Sequence, residues 1–376
     1  MNILFWQWHA FMQNGMENAL KKLNIEYRIF NYQLSDWEHD TAFVEKLEKE
    51  LEQGAFDAVI SVNYCPLVSA VCQNHHLRYI AWVYDSPVHI RDLSSLHNSC
   101  NKIYFFDRGQ VEKYKKQGYG TVFHLPLAAD ETVWEFQDYL QPSGCDVAFV
   151  GQLYKSDYNY LMAPLPQYYR GMMDGMLAAQ GQVYGAYLLD EMITKPLMEK
   201  LNEFYQKASK NAKRVMKAEL EYACACEVTG RERFTALSLL AGRYNVHLYS
   251  GDRNNQIEGI KSNGYVDYYT QMPSVFKNAK INLNISLKTI RTGIPLRVFD
   301  VLSCGGFLIT NYQEELTEYF EPGVDLVVYE DVRDLVLKTD YYLKHEEERK
   351  AIAQNGHRKV RELCTFEGRM RQMLEL

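Results

Sequence analysis

The sequence lacks the features that mark disulfide-linked, membrane-spanning and nucleic-acid-binding proteins. Its eight cysteines show no paired Cys-x-x-Cys spacing and no neighbouring histidine pattern, so we expect reduced, mostly buried thiols and no metal site. No apolar run approaches the roughly eighteen residues of a membrane span. The net charge of −7, without basic runs, gives no electrostatic basis for binding nucleic acid or an anionic membrane.

The composition that remains is that of a globular protein. Hydrophobic residues make up 47% of the chain and charged residues 24%, which excludes a disordered protein. The first residues enter a strand pattern without the charged and apolar regions of a signal peptide, so a cytoplasmic location is expected. The Cys224-Ala-Cys226 pair is a local exception. It is compatible either with two buried thiols or with a metal or redox role.

Short β-rich runs alternate with helical patterns, and the length of 376 residues favours two or three domains. The predicted strands of the first half are 2–7, 27–32, 58–63, 79–84, 103–106 and 122–125. Those of the second half are 146–151, 245–250, 281–286, 307–310 and 326–329. This alternation predicts parallel sheets with crossover helices, in which ligands bind beyond the carboxyl ends of the strands.

Two stretches interrupt this alternation. Residues 141–145 have the composition of a linker, and residues 158–243 carry long helical patterns with almost no strand signal. Within them, Thr229 and Glu232 have capping-box spacing, which predicts a helix start near residue 230. The predicted parts are a first domain over 1–140, a second domain over 143–360 with a helical insertion at about 158–243, and a last helix over 361–376 that returns to the first domain.

The stretch from 280 to 311 has the outline of a phosphate-binding crossover. A strand pattern is followed by a turn with Gly293, and Pro295 opens a short helix, where its missing N–H does no harm. Free amides at the helix start suit an anion such as a nucleotide diphosphate, and Gly293 lets the backbone come close. Arg297 and Asp300 are the only charges on this apolar helix, where they bind a ligand or pair with each other.

Several motifs occur in an order that resembles GT-B glycosyltransferases, and more closely their CgeB-like spore-maturation group. These motifs are Tyr-Val-Asp-Tyr-Tyr-Thr-Gln-Met-Pro-Ser-Val-Phe (265–276), Lys-Ile-Asn-Leu-Asn-Ile (280–285), Gly-Ile-Pro-Leu-Arg-Val-Phe-Asp (293–300), Cys-Gly-Gly-Phe-Leu-Ile-Thr-Asn-Tyr-Gln (304–313), Tyr-Phe-Glu-Pro-Gly (319–323), Ala-Trp-Val-Tyr-Asp-Ser-Pro (81–87) and Leu-Pro-Leu-Ala-Ala-Asp (125–130). The resemblance implies an α/β fold of GT-B architecture, with two Rossmann-like domains facing a cleft and a helical insertion in the second.

The resemblance also implies roles for residues near the crossover. Retaining relatives carry a Glu-x7-Glu signature whose second Glu holds the donor ribose. That position falls on Asp300, whose carboxylate can accept two hydrogen bonds from vicinal hydroxyls. The first position, which contacts the transferred sugar in those relatives, falls on Thr292, so the sugar and the stereochemical course stay open. The leaving diphosphate would bind the amides near Gly293 and the guanidinium of Arg297 or Arg291.

Four further residues are predicted on the donor side. Lys288 is predicted to bind the phosphates as a cation, and Gly151 to form a glycine turn that approaches them. Asn284 is predicted to face the cleft, and Tyr265 to lie next to the nucleobase. The alternatives are an ordinary exposed lysine, a tight strand-to-helix turn and an asparagine that bonds a neighbouring helix.

On the acceptor side, Asp85 ends a strand and His89 follows it closely, so we predict both as catalytic residues that position the acceptor and take its proton. Asp85 before Ser-Pro is equally a turn-former. His9, at the end of the first strand, is a weaker candidate because a lone histidine is more often structural.

The leading hypothesis is a hexosyltransferase-type glycosyltransferase that moves a sugar from a nucleoside-diphosphate sugar, with UDP favoured, to a protein or glycan acceptor. It would need no metal and no cofactor. A nucleotide-sugar epimerase shares the architecture and is the less favoured enzyme. From another class, a catalytically silent protein that binds glycan or protein in a surface or spore assembly stays open, because Thr292 replaces the first Glu.

Overall fold

The computed structural model describes residues 1–88, 90–133, 144–209, 211–252 and 256–376. Their contacts divide the chain into two compact units. The first unit comprises the described residues of Met1–Glu135, Thr292–Ser303 and Lys359–Leu376, and the second those of Phe136–Arg291 and Cys304–Arg358. The predicted boundary at 140–143 and the histidine at position 89 lie outside the described residues.

The first unit is built on a parallel sheet in the order β2-β1-β3-β4-β5-β6. Its strands are β1 (Asn2–Gln7), β2 (Glu26–Asn31), β3 (Ala58–Val62), β4 (Arg78–Val83), β5 (Asn101–Phe105) and β6 (Val122–His124). Its helices are α1 (Gln13–Lys22), α2 (Thr41–Glu52), α3 (Pro66–Asn74), α4 (Arg108–Lys116), α11 (Leu296–Ser303) and α15 (Phe366–Leu374). The last helix, α15, packs on α1, where the ring of Phe366 fills the space beside Gly15.

The second unit contains a parallel sheet in the order β12-β11-β10-β7-β8-β9. Its strands are β7 (Val147–Val150), β8 (Val246–Tyr249), β9 (Lys261–Ser262), β10 (Ile281–Asn284), β11 (Leu308–Asn311) and β12 (Val327–Tyr329). Its helices are α5 (Tyr158–Met162), α6 (Gln167–Gly181), α7 (Leu189–Met192), α8 (Lys195–Ala208), α9 (Lys217–Ala241), α10 (Met272–Asn278), α12 (Leu316–Tyr319), α13 (Val332–Lys344) and α14 (Glu346–Leu363), whose last residues belong to the first unit.

The predicted α/β fold class is confirmed, because both sheets are parallel and their strands alternate with helices. In each unit, apolar strand residues and the inner faces of the helices form a buried core. The helices between β7 and β8 have a separate apolar core of their own, which includes Met173, Leu189, Leu201 and Leu220. These helices therefore pack together as a compact helical layer rather than forming a long loop.

The predicted helix start near residue 230 is wrong. Helix α9 runs without interruption from Lys217 to Ala241, and its start is marked by the Met216 N–H, which donates to Glu219 Oε2 at 2.9 Å. Thr229 lies inside the helix, where its hydroxyl donates to the carbonyl of Ala225 at 2.8 Å. Spacing alone could not separate a cap from two polar residues that face the same neighbours within a helix.

Cys224 and Cys226 are both buried in α9. Burial raises the pKa of the Cys224 thiol to about 12, and it also raises the pKa of Cys226. Both thiols therefore stay protonated near neutral pH, whereas metal binding and thiol exchange require the thiolate. In the part of the chain that the structure describes, no helix is long and apolar enough to cross a bilayer.

Gly230 is the position at which α9 meets the segment after β7. A Cβ atom at this residue would lie 2.9 Å from the carbonyl oxygens of Leu153 and Tyr154. Backbone atoms cannot move aside as a flexible side chain can, so glycine allows this segment to cross the helix closely.

We expect Gly230→Ala to lower the free energy of unfolding by about 1–3 kcal/mol, because the methyl group forces the two backbones apart. Gly175→Ala in α6 is the matched control: nothing lies within 4 Å of its added Cβ. Helix propensity should raise its stability by about 0.5–1 kcal/mol. Urea denaturation followed by circular dichroism measures both, and a Gly230→Ala midpoint at or above that of the wild type would contradict the close crossing.

Candidate functional site

Polar side chains gather at the carboxyl ends of β10 and β11 in the second unit. Asn311 Oδ1 accepts a hydrogen bond from the Ser286 N–H at 2.7 Å. The Asn284 amide donates to Thr310 Oγ1 at 2.9 Å and to Ser286 Oγ at 3.2 Å. Asn284 is buried, so these bonds fix the ends of β10 and β11 against each other. The role of Asn284 is therefore to position this edge of the sheet.

A small cavity of about 20 Å³ lies at this edge of the sheet. We call it the Lys288 cavity; its lining includes Tyr184, Ser286, Lys288, Arg291, Asn311 and Gln313. The volume suits about one water molecule or one ligand oxygen. The structure thus brings together two of the predicted donor-binding cations, Lys288 and Arg291.

The side chain of Lys288 is only 8% exposed, unlike the exposed lysine of the alternative interpretation. Its ammonium lies 2.8 Å from Glu232 Oε2 and 4.0 Å from the centre of the Tyr184 ring. Glu232 Oε1 accepts hydrogen bonds from the hydroxyls of Tyr184 at 2.7 Å and Tyr329 at 3.2 Å. Burial, followed by the nearby Glu232 charge, raises the pKa of both tyrosines, so they remain hydrogen-bond donors.

Arg291 has a similar environment. Its guanidinium pairs with Asp190 of α7 and lies 5.1 Å from the centre of the Tyr187 ring. Asp190 is also 3.3 Å from the ammonium of Lys217. Each cation of the cavity therefore has a carboxylate and a tyrosine ring from the segment between β7 and β8 beside it.

Arg233 connects α9 to the ends of β7 and β10. Its guanidinium donates to the carbonyls of Gln152 and Ile285 and stacks on the rings of Phe149 and Tyr154. The predicted residue Gly151 lies beside it, since a Cβ there would be 3.7 Å from Arg233 and in ordinary contact with Phe149. The turn at Gly151 is thus held by a buried guanidinium.

The remaining donor-side candidate of the second unit, Tyr265, is 74% exposed. It follows β9, a short strand that is not among the predicted ones, and its ring lies on the surface of the unit.

In the first unit, Arg297 and Asp300 form an ion pair on α11, with 3.1 Å between the guanidinium and Asp300 Oδ2. Asp300 is buried and Arg297 partly exposed. Pairing of this kind was one of the two interpretations of the sequence. The ion pair orients the Asp300 carboxylate, while the Arg297 guanidinium stays partly exposed to solvent.

Packing within the first unit requires glycine at position 293. A Cβ at Gly293 would lie 2.8 Å from the Cα of Asp107. Asp107 begins α4, and its Oδ1 accepts hydrogen bonds from the N–H of Gly109 at 2.9 Å and from the N–H and hydroxyl of Thr292 at 3.2 and 3.0 Å. The close approach is therefore to another backbone, and a buried carboxylate contacts Thr292.

Asp85 lies beyond the end of β4, where Asn63 orients it. The Asn63 amide donates to Asp85 Oδ2 at 2.6 Å, and its oxygen accepts from the N–H of Tyr84 at 3.0 Å. Asn63 and the exposed His9 both have left-handed backbones, with φ of 60° and 65°. Left-handed non-glycine residues are costly and are concentrated at functional sites. His89 lies outside the described residues.

Sequence reasoning missed the residues that hold the predicted ones in place. Glu232, Asp190, Arg233 and Asn63 are far along the chain from their partners, so no local spacing connects them. A signal exists for two of them only, because Glu232 and Arg233 are adjacent charged residues within a long helical pattern.

Comparisons with known proteins agree with this architecture. A family model described as glycosyl transferase-like matches residues 212–375, which include Glu232, Lys288, Arg291, Arg297 and Asp300. The comparison with curated proteins found no match.

Three solved structures illustrate the similarity in fold. A glycosyltransferase from Rickettsia africae is 9% identical, with a TM-score of 0.59 and coverage of 100% of this chain and 97% of that one. Sucrose-phosphate synthase from Thermosynechococcus elongatus is 10% identical, with a TM-score of 0.57 and coverage of 100% and 98%. HepE from Anabaena in complex with UDP-glucose is 10% identical, with a TM-score of 0.56 and the same coverage. The fold is therefore that of GT-B glycosyltransferases.

Proposed function

We propose that the protein is a glycosyltransferase that moves a hexose from a nucleoside-diphosphate sugar, with UDP as the nucleotide, to a protein or glycan acceptor. The finer resemblance to the CgeB-like group and a cytoplasmic location are parts of the same proposal. HepE, which has a similar fold, was solved with UDP and with UDP-glucose. This supports the choice of nucleotide.

The observation that carries the proposal is the pair of cations at the carboxyl edge of the second sheet. Lys288 and Arg291 line one cavity beyond the ends of β10 and β11, where open parallel sheets bind their ligands. Glycosyl transfer releases a diphosphate, whose developing negative charge must be stabilised in the transition state. An ammonium and a guanidinium supply that stabilisation from the protein itself, so we propose a reaction that needs no metal.

We assign the other predicted residues to the remaining steps. Asp300, oriented by Arg297, accepts hydrogen bonds from the ribose hydroxyls, and the Arg297 guanidinium donates to a phosphate oxygen. Asp85, held by Asn63, accepts the proton of the acceptor hydroxyl as that oxygen attacks the sugar. The bond from the anomeric carbon to the diphosphate oxygen breaks in the same step or the preceding one.

The first test is donor hydrolysis without acceptor. We expect the purified protein to release UDP from a UDP-hexose, and Asp300→Ala to slow the release at least about tenfold because ribose hydrogen bonds are lost. A panel of UDP-, GDP- and TDP-sugars identifies the nucleotide, and thermal melting confirms that the variant is folded.

Two outcomes would count against parts of this assignment. Release that requires added magnesium and stops with a chelator would contradict a metal-independent reaction. No release by either protein, together with no thermal shift from any nucleotide, would favour the catalytically silent binding protein.

The second test separates phosphate from nucleoside recognition. We expect Lys288→Met to weaken UDP about 10- to 100-fold, since hydrogen bonds to charged groups are worth about 1.5–3 kcal/mol, and to leave uridine binding unchanged. Lys338→Met is the matched control, because Lys338 is also an ion-paired lysine of the second unit, 2.7 Å from Asp334. Isothermal titration calorimetry measures each affinity. An equal loss of UDP and uridine binding in Lys288→Met would indicate structural damage instead.

A further inference from the structure

The cations of the Lys288 cavity are already neutralised by carboxylates of the helices between β7 and β8. Glu232 of α9 lies 2.8 Å from the Lys288 ammonium, and Asp190 of α7 pairs with Arg291. An anion that places an oxygen in the cavity therefore meets two ion pairs rather than two exposed positive charges.

We infer that Glu232 and Asp190 are built-in counter-ions that compete with an anionic ligand for Lys288 and Arg291, so that the inserted helices set how strongly these two cations hold a diphosphate that places one oxygen in the cavity. That the anion is the leaving diphosphate of a sugar donor rests on the proposed function. The competition itself rests only on the geometry of the second unit.

Glu232 is held in place as a counter-ion by more than its own helix. Two tyrosine hydroxyls donate to its Oε1, which directs Oε2 at the ammonium. Thr229, one turn earlier on α9, accepts a hydrogen bond from the Lys288 N–H at 3.1 Å. The same stretch of α9 thus fixes both the backbone and the charged end of Lys288.

Burial raises the cost of separating Lys288 from Glu232. The side chains of Lys288 and Glu232 are only 8% and 6% exposed. Removing one partner of a buried ion pair leaves an uncompensated charge at a large cost in stability, and another charge of the same sign as the lost one can take its place. If Glu232 loses its charge, an anion in the adjacent cavity becomes the replacement.

The second pair repeats the arrangement in a less buried position. Arg291 and Asp190 are 20% and 21% exposed, and the ring of Tyr187 lies beside the guanidinium as Tyr184 lies beside Lys288. Two cations of one loop thus each have a carboxylate and a tyrosine from the segment between β7 and β8 beside them. This repetition indicates that the two ion pairs serve the same function and are not two unrelated salt bridges.

Inorganic pyrophosphate is the probe that tests this competition without a nucleoside. We expect Glu232→Gln, which keeps an acceptor for the tyrosines but removes the charge, to bind pyrophosphate about tenfold more tightly than the wild type in calorimetry. Asp190→Asn should gain several-fold, since its pair is more exposed to solvent. The gain should vanish in the double variant Glu232→Gln/Lys288→Met, as the cation that receives the anion is then absent.

The matched control is Asp146→Asn. Asp146 is a carboxylate of the second unit that pairs with Lys280 at 2.8 Å and is 28% exposed, close to the 21% of Asp190, and it does not line the cavity. We expect this variant to show no gain in pyrophosphate affinity. A gain of similar size in Asp146→Asn would show that the effect reflects net charge alone and would overturn the inference.

Pyrophosphate binding that is unchanged or weaker in both Glu232→Gln and Asp190→Asn would also overturn it. If Glu232→Gln does not fold, Asp190→Asn decides alone. Turnover of UDP-sugars by the wild type reports separately on the proposed function. Pyrophosphate gain without turnover would support the counter-ions and contradict the glycosyltransferase assignment. Turnover without pyrophosphate gain would support the glycosyltransferase assignment and contradict the counter-ions.

Discussion

The buried guanidinium of Arg233 is the interaction on which the second unit depends. It joins the middle of α9 to the carbonyls of Gln152 and Ile285, which follow β7 and β10. A buried arginine is tolerated only when its donors are satisfied, and here the backbone of two strand ends satisfies them. The helix cannot rotate or slide without leaving this charge unpaired, so its position relative to the sheet edge is fixed.

This fixed position brings a single turn of α9 into several contacts at once. Gly230 lets the chain after β7 cross the helix, Thr229 accepts the N–H of Lys288, and Glu232 pairs with the Lys288 ammonium. Residues 229–233 therefore position the loop after β10 as well as the one after β7. The cation that we assign to the diphosphate owes its place to a helix that is remote in sequence.

Sequence reasoning could predict the sheets and nominate Lys288 and Arg291, because strand alternation is local and ligand sites follow strand ends. It could not predict the partners of these residues. Glu232 and Thr229 were assigned to a helix start because their spacing is that of a capping box, whereas buried contacts with Lys288 and Ala225 explain them. The glycine pattern at Gly293 is local, but the neighbour that demands a glycine there, Asp107, comes from another part of the chain. Tertiary contacts of this kind leave no periodic trace in the sequence.

The hydrogen bond from Tyr329 to Glu232 has a consequence for the order in which the site can form. Tyr329 belongs to β12, at the outer edge of the second sheet and late in the chain, while Tyr184 precedes α7. The hydrogen bonds that orient Glu232 towards Lys288 are thus complete only after all six strands of the second sheet have been synthesised. A nascent or partly folded chain holds no finished anion site. Any ligand bound there stabilises the entire second unit by mass action, so occupancy reports on completed folding as well as on chemistry.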